Sequence, residues 1–150
     1  MNAVDTNILF YAHNSRDPGK QRIAAELIAT VSDGTLVWQV ACEYLWASRK
    51  LAQFGYSYSD TMEDIRNLRL VWTTVVPDWT ALDRMEALKS AYSLSFWDRL
   101  LIATCLEAGI RRLFSEDFSG YRLVESLEIV NPFLTPSTET LAFREPAPSA

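Results

Sequence analysis

The chain has 150 residues, is 49% hydrophobic and carries five Trp, six Tyr and seven Phe, which is enough for one domain with its own core and excludes a disordered protein. A net charge of −5 and a pI near 4.9 exclude broad, nonspecific nucleic-acid binding through a basic surface, though not a nucleic-acid substrate met by a local basic rim or a metal. No apolar run is long enough to cross a bilayer, and the opening MNAVDTNILFYAH lacks the basic start of a signal peptide, so a cytoplasmic protein is expected.

In chain order, Ala3-Val4 and its neighbours form a short apolar strand that stops at Asp5, and Thr6-Asn7 lead into an apolar helical stretch, ILFYAH. The turn residues SRDPG, 15–19, follow. From Lys20, KQRIAAELIATVSDG sets Ile23, Leu27 and Val31 on one face of an amphipathic helix, with Gly34 past its end. TLVWQ, 35–39, reads as a second strand, and VACEYLWASRKLAQFG as a helix closed by Gly55. Ser59-Asp60 start a further helix that reaches about Leu70, and the β-branched VWTTVVP, 71–77, reads as a strand. Asp78 and Thr80 can cap a helix running to Ala91; Ser95 then caps FWDRLLIATCLEAG, which ends at Gly109. RRLFS, 111–115, is a strand with Glu116-Asp117 just beyond it, and LEIVNPF, 127–133, is the last strand. The residues from Thr135, with three prolines, are expected to be a mobile tail, so the domain is bounded at 1–134 and the tail at 135–150.

Strands that alternate with helices specify an α/β fold with a mainly parallel sheet. In such sheets sites lie outside the carboxyl ends of the strands. Asp5 and Asp117 each stand directly after a strand and would share that edge. Cys42 and Cys105, the two cysteines, lie in apolar helical patterns and are expected as buried free thiols. One histidine, His13, cannot build a histidine-rich metal site and is thin support for a hydrolytic triad.

Each acid has an ordinary reading. Asp5 and Asn7 can cap a helix; Glu43 can sit on a solvated helix face; Ser95-x-x-Asp98 is close to a capping box; Glu116 and Asp117 can be a charged turn. Together, however, Asp5, Asp98 and Asp117 project from one end of the sheet, which independent capping does not require. Carboxylates without Cys or His suit Mg²⁺ or Mn²⁺, ions that activate water and neutralise phosphate oxygens. There is no P-loop, GxGxxG or GxSxG sequence.

The stretches VDTNIL (4–9), QVACEYLW (39–46), FWDRLLIATCLEAG (96–109), SEDFSGY (115–121) and IVNPF (129–133), in that order, resemble the PIN-domain ribonucleases, and specifically the VapC-type toxins of toxin–antitoxin pairs. The resemblance implies a three-layer α/β/α fold with a central, mainly parallel sheet and a magnesium-dependent endoribonuclease. It maps the acidic site to Asp5, Glu43, Asp98 and Asp117, with Asp5, Asp98 and Asp117 toward the metal and Thr6, Asn7 and Glu116 in support. It also implies an RNA substrate, a homodimer and a cognate antitoxin. Arg16, Lys20, Arg22, Arg49, Lys50 and Arg99 are candidates for RNA contact. Alternatives are an RNA-processing nuclease without a toxin role, a phosphohydrolase with an aspartyl nucleophile, and a non-catalytic binding module on the same fold.

Overall fold

The computed structural model describes residues 1–134; the expected tail at 135–150 lies outside them. The elements are β1 (Asn2–Val4), α1 (Thr6–Tyr11), α2 (Pro18–Thr30), β2 (Gly34–Val37), α3 (Trp38–Leu51), a 3-10 turn (Ala52–Phe54), α4 (Tyr58–Val71), β3 (Thr73–Val75), α5 (Trp79–Leu88), α6 (Phe96–Glu107), β4 (Arg112–Phe114), β5 (Leu123–Val124) and β6 (Leu127–Val130). The strands form one sheet in the order β3-β2-β1-β4-β6-β5, parallel except for β5, which pairs antiparallel with β6. Helices flank this sheet in the expected three-layer α/β/α arrangement, with α1 to α4 packed on one another and α5 packed on α6.

The strand order makes the site. From β1 the chain winds outward through β2 to β3; from β4 it winds the other way to β6 and β5. The crevice where winding reverses lies between β1 and β4, whose register pairs Val4 with Phe114. Asp5 and Ser115 are the next residues on the two strands, so they face each other where ligands bind in doubly wound sheets. Behind them the core is apolar: Val4, Ile8, Leu36, Ile102, Leu113 and Phe114 are all buried.

Several boundaries differ from the sequence reading, each for a local reason. The second strand ends at Val37, and Trp38 and Gln39 open α3; a short apolar run does not itself distinguish strand from helix. α2 starts at Pro18, capped by Asp17, because proline fits the first helical turn. The cap of α4 is Ser57, in a full capping box with Asp60, and not Ser59. Trp72 donates its N–H to Leu68 O at 2.7 Å, so Val71 belongs to α4 and the third strand shrinks to three residues. Asp78 alone caps α5, which ends at Leu88. Strand β5 was not expected: its hairpin turns at Glu125, with φ 51°, without the Asn-Gly or Gly signal that announces such a turn. Gly34 is the first residue of β2, and it is glycine because a Cβ there would lie 2.4 Å from the Trp72 indole. Cys105 is buried as expected, but Cys42 is only half-buried. Among the described residues no helix is long and apolar enough to cross a membrane.

Candidate active site

Asp5 ends β1 and caps α1 in extended conformation. Its main-chain N–H donates to Phe114 O at 2.8 Å, which fixes it beside β4. The carboxylate is only 5% exposed, and both oxygens are engaged: Oδ1 accepts from the Thr6 N–H and Oδ2 from the Ser115 hydroxyl, each at 2.7 Å. Burial pushes its pKa up to about 7; the bonds from Ser115 and Thr6 oppose the rise, while the charges of Asp117 and Glu43 add to it.

Glu43 reaches the same place from α3. Its Oε2 accepts from Thr6 Oγ1 at 2.8 Å and its Oε1 from Gln39 Nε2 at 2.9 Å. Asn7 does the equivalent for the third segment. Its Nδ2 donates to Ser115 Oγ at 3.2 Å and to Asp117 Oδ2 at 3.3 Å, and its Oδ1 accepts the Glu116 N–H at 3.3 Å. Thr6 and Asn7, in the first turn of α1, thus hold Glu43 and the loop after β4 by hydrogen bonds.

Asp98 lies in the first turn of α6. Ser95 Oγ accepts from the Asp98 N–H at 3.3 Å, which is one half of a capping box; the reciprocal bond formed by Asp60 at Ser57 is not formed here. The Asp98 carboxylate therefore does not serve as a cap, contrary to the sequence reading. It instead adds its charge to Asp117. Partial burial raises the Asp117 pKa first, then the charges of Asp98, Glu116 and Glu43, against the bond from Asn7. Asp117 thus feels all three other acids, counting its coupling to Asp5. The loop that carries it is strained: Phe118 has φ 67°.

Glu116 points elsewhere. It accepts from Lys20 Nζ at 2.7 Å, and that ammonium lies over the Tyr11 and Phe133 rings. Ser115, Glu116 and Asp117 form one wall of an open cleft of about 540 Å³ that continues past Phe118, Tyr121 and Arg122 to Asn131.

Two residues at the centre were not expected from sequence. Ser115, fully buried, bonds Asp5, Asn7 and the Asp117 N–H; its signal was its place at the end of a strand directly before two acids. Gln39, within a misread strand, is a site neighbour whose signal was its spacing of four from Glu43. Of the candidate RNA-contact residues, Lys20 borders the site, whereas Arg99 is taken up inside the fold, where it approaches Met85 O. His13 lies apart from the acids, paired with Asp64 at 3.1 Å and stacked on Tyr56.

Among the described residues, no group of three or more His, Cys, Asp and Glu side chains is arranged to hold a metal ion as it stands. The donor set nevertheless fits a hard divalent cation of the magnesium type, which keeps several waters and takes only one or two carboxylates directly. The high cost of ionising buried Asp5, with acids on either side of it, is what a nearby cation would remove.

A family model for the PIN domain matches residues 3–125. No curated protein matches the sequence. Solved structures similar to the chain include a toxin–antitoxin complex from Klebsiella pneumoniae, at 19% identity over 88% of this chain and 98% of the other, with a TM-score of 0.66. VapBC2 from Rickettsia felis, bound to a DNA fragment from its promoter, shares 13% identity over 87% of this chain and 97% of its own, with a TM-score of 0.62. Mycobacterium tuberculosis VapC20, a toxin that cleaves the sarcin–ricin loop, shares 21% identity over 83% of this chain and 98% of its own, with a TM-score of 0.59. The family match covers most of the chain and all four segments that carry Asp5, Glu43, Asp98 and Asp117: the chain belongs to the PIN-domain family.

Proposed function

We propose that the chain is a divalent-metal-dependent endoribonuclease and the toxin of a toxin–antitoxin pair. The observation that carries this reading is the meeting of Asp5, Glu43, Asp98 and Asp117, from four separate segments, at the switch point of a PIN-domain sheet. Asp5, Asp98 and Asp117 would hold Mg²⁺ or Mn²⁺, partly through water, and Glu43 would hold it through the water that it deprotonates. When bound, the ion supplies charge neutralisation at the phosphate and a more acidic water.

The protein's own groups do the rest. Glu43, oriented through both oxygens, is the base that takes the proton of the attacking water. Ser115 and Asn7 hold Asp5 and Asp117 at fixed separation. In-line attack on phosphorus breaks the bond to the 3′ oxygen, which leaves with a proton, so the products carry a 5′-phosphate and a 3′-hydroxyl. An aspartyl nucleophile is disfavoured, because the position two residues after Asp5, where such an enzyme keeps a second acid, is Asn7, which is committed to Ser115, Asp117 and the Glu116 N–H.

The toxin–antitoxin proteins whose fold this chain shares support the toxin role and an antitoxin partner; a cytoplasmic location, a homodimer and an antitoxin that covers the site rest on the resemblance alone. End-mapping of cellular RNA incubated with the purified chain and Mg²⁺ tests the chemistry. Fragments with 5′-phosphates at a recurrent site are expected; 2′,3′-cyclic phosphate ends would contradict a water nucleophile.

A further inference from the structure

We propose that Gln39 is a positioning residue of this site: it fixes the Glu43 carboxylate and ties it to the turn of α6 that carries Asp98. The inference rests on the reading of the acids as a metal-binding hydrolytic centre. One amide nitrogen makes two bonds. Gln39 Nε2 donates to Glu43 Oε1 at 2.9 Å and to the main-chain oxygen of Trp97 at 3.0 Å. Both partners are acceptors, so the amide can point only its nitrogen at them, and both of its hydrogens are used.

The side chain is 7% exposed, and its Oε1 is buried without a hydrogen-bond partner. An orphaned buried acceptor is unfavourable, and an apolar residue at this position would avoid it. What the amide provides in return is the link itself. Gln39 stands one helical turn before Glu43, on the same face of α3, and Trp97 is the residue before Asp98. Across the carboxylate, Thr6 holds the other oxygen of Glu43 and follows Asp5 directly. Glu43 is therefore suspended between the Asp5 turn and the Asp98 turn, with one donor from each side. A free glutamate samples many rotamers; one held at both oxygens presents a single geometry to a cation or a water.

The test is direct metal binding by the full chain. Gln39→Met keeps the length of the side chain and removes both donors. Calorimetric titration with Mn²⁺ should show affinity weakened roughly 10-fold or more, the usual effect of losing a partner that orients a ligand. The rise in melting temperature caused by Mn²⁺ should shrink in parallel, while the circular dichroism spectrum stays that of the wild type. In a Glu43→Gln background the same substitution should alter Mn²⁺ affinity by about 2-fold at most, because Gln39 acts through Glu43. Gln39→Asn, one methylene too short to span both acceptors, should reproduce the loss if the Met variant does not fold. Wild-type affinity in either folded variant, or an equal loss with and without Glu43, overturns the positioning role. A wild-type chain that binds no Mn²⁺ overturns the metal reading and this role with it, so the two failures are told apart by the wild-type titration.

Discussion

Ser115 Oγ donates a hydrogen bond to Asp5 Oδ2 at 2.7 Å, joining two residues 110 positions apart at the ends of β4 and β1. The same hydroxyl accepts from Asn7 Nδ2 and from the Asp117 N–H. Its one proton is directed at Asp5 and its lone pairs are occupied, so it cannot accept a proton from Asp5, and with the Thr6 N–H on Oδ1 both carboxylate oxygens accept, which favours the ionised form. Burial favours the protonated form and holds the pKa up at about 7. The site is thus wired for a carboxylate whose charge the protein alone does not balance.

Asp5 should accordingly make the metal-free protein less stable as pH rises. Below pH about 4 the folded and unfolded chains both hold the proton; between the ordinary value of 3.8 and about 7 only the folded chain does, so its stability falls through that window and levels off above it. The full loss is on the order of 4 kcal/mol at most. Asp5→Asn removes it and should melt several degrees above the wild type at pH 8 in EDTA. At pH 5 the advantage should be less than half as large, because much of that window still lies above, and below pH about 4, where both states of the wild type hold the proton, it should disappear. Mg²⁺ should raise the wild type and narrow the gap at pH 8. Thermal melts at both pH values check this; a variant that melts lower at pH 8 in EDTA contradicts a strained Asp5.

Ser115→Ala removes the donor that lowers the Asp5 pKa and the acceptor of the Asp117 N–H. A loss of about 1–3 kcal/mol is expected, the cost of unpairing buried polar groups. The pH window of declining stability should also extend above 7, since nothing then opposes burial at Oδ2. Denaturant melts across pH measure both; an unchanged window would mean that Ser115 does not tune Asp5.

Much of this was legible in the sequence. The strand–helix alternation indicated the sheet, and Asp5 and Asp117, each directly after a strand, indicated one edge of it. Tertiary facts were not legible. Gln39 was read as a strand residue because TLVWQ fits either period, and its partners lie on α3 and α6. Asp98 looked like a cap because Ser95 precedes it by three, yet the carboxylate turns to the site's field. Ser115 carried no motif of its own; its role exists only once β1 and β4 pair. Strand β5 had no turn residue to mark it.

Gly34 gives a test of the fold alone. A Cβ there would meet the Trp72 indole at 2.4 Å. Gly34→Ala should cost about 1–3 kcal/mol as an overpacking substitution, and Trp72→Leu in the same chain should recover part of that by opening space. Additive losses in a double-mutant cycle would show that the two do not share this contact.

Toxicity is tested by expression. The wild-type chain expressed alone should slow growth, Asp98→Asn should not, and coexpression of a small gene immediately upstream should restore growth. Normal growth at high levels of folded protein would contradict the toxin role and leave RNA processing as the reading of the same site.

The central claim is that four carboxylates from separate segments act as one metal-dependent centre, and RNA cleavage by the purified chain tests it most directly. With Mg²⁺ the wild type should cut RNA; EDTA should stop it, and restored Mg²⁺ should recover it. Asp5→Asn, Glu43→Gln, Asp98→Asn and Asp117→Asn should each lose most of the activity, roughly 100-fold or more, as expected when a member of a cooperating set is removed. Undiminished cleavage in EDTA, or full activity in any one of the four variants, would contradict it.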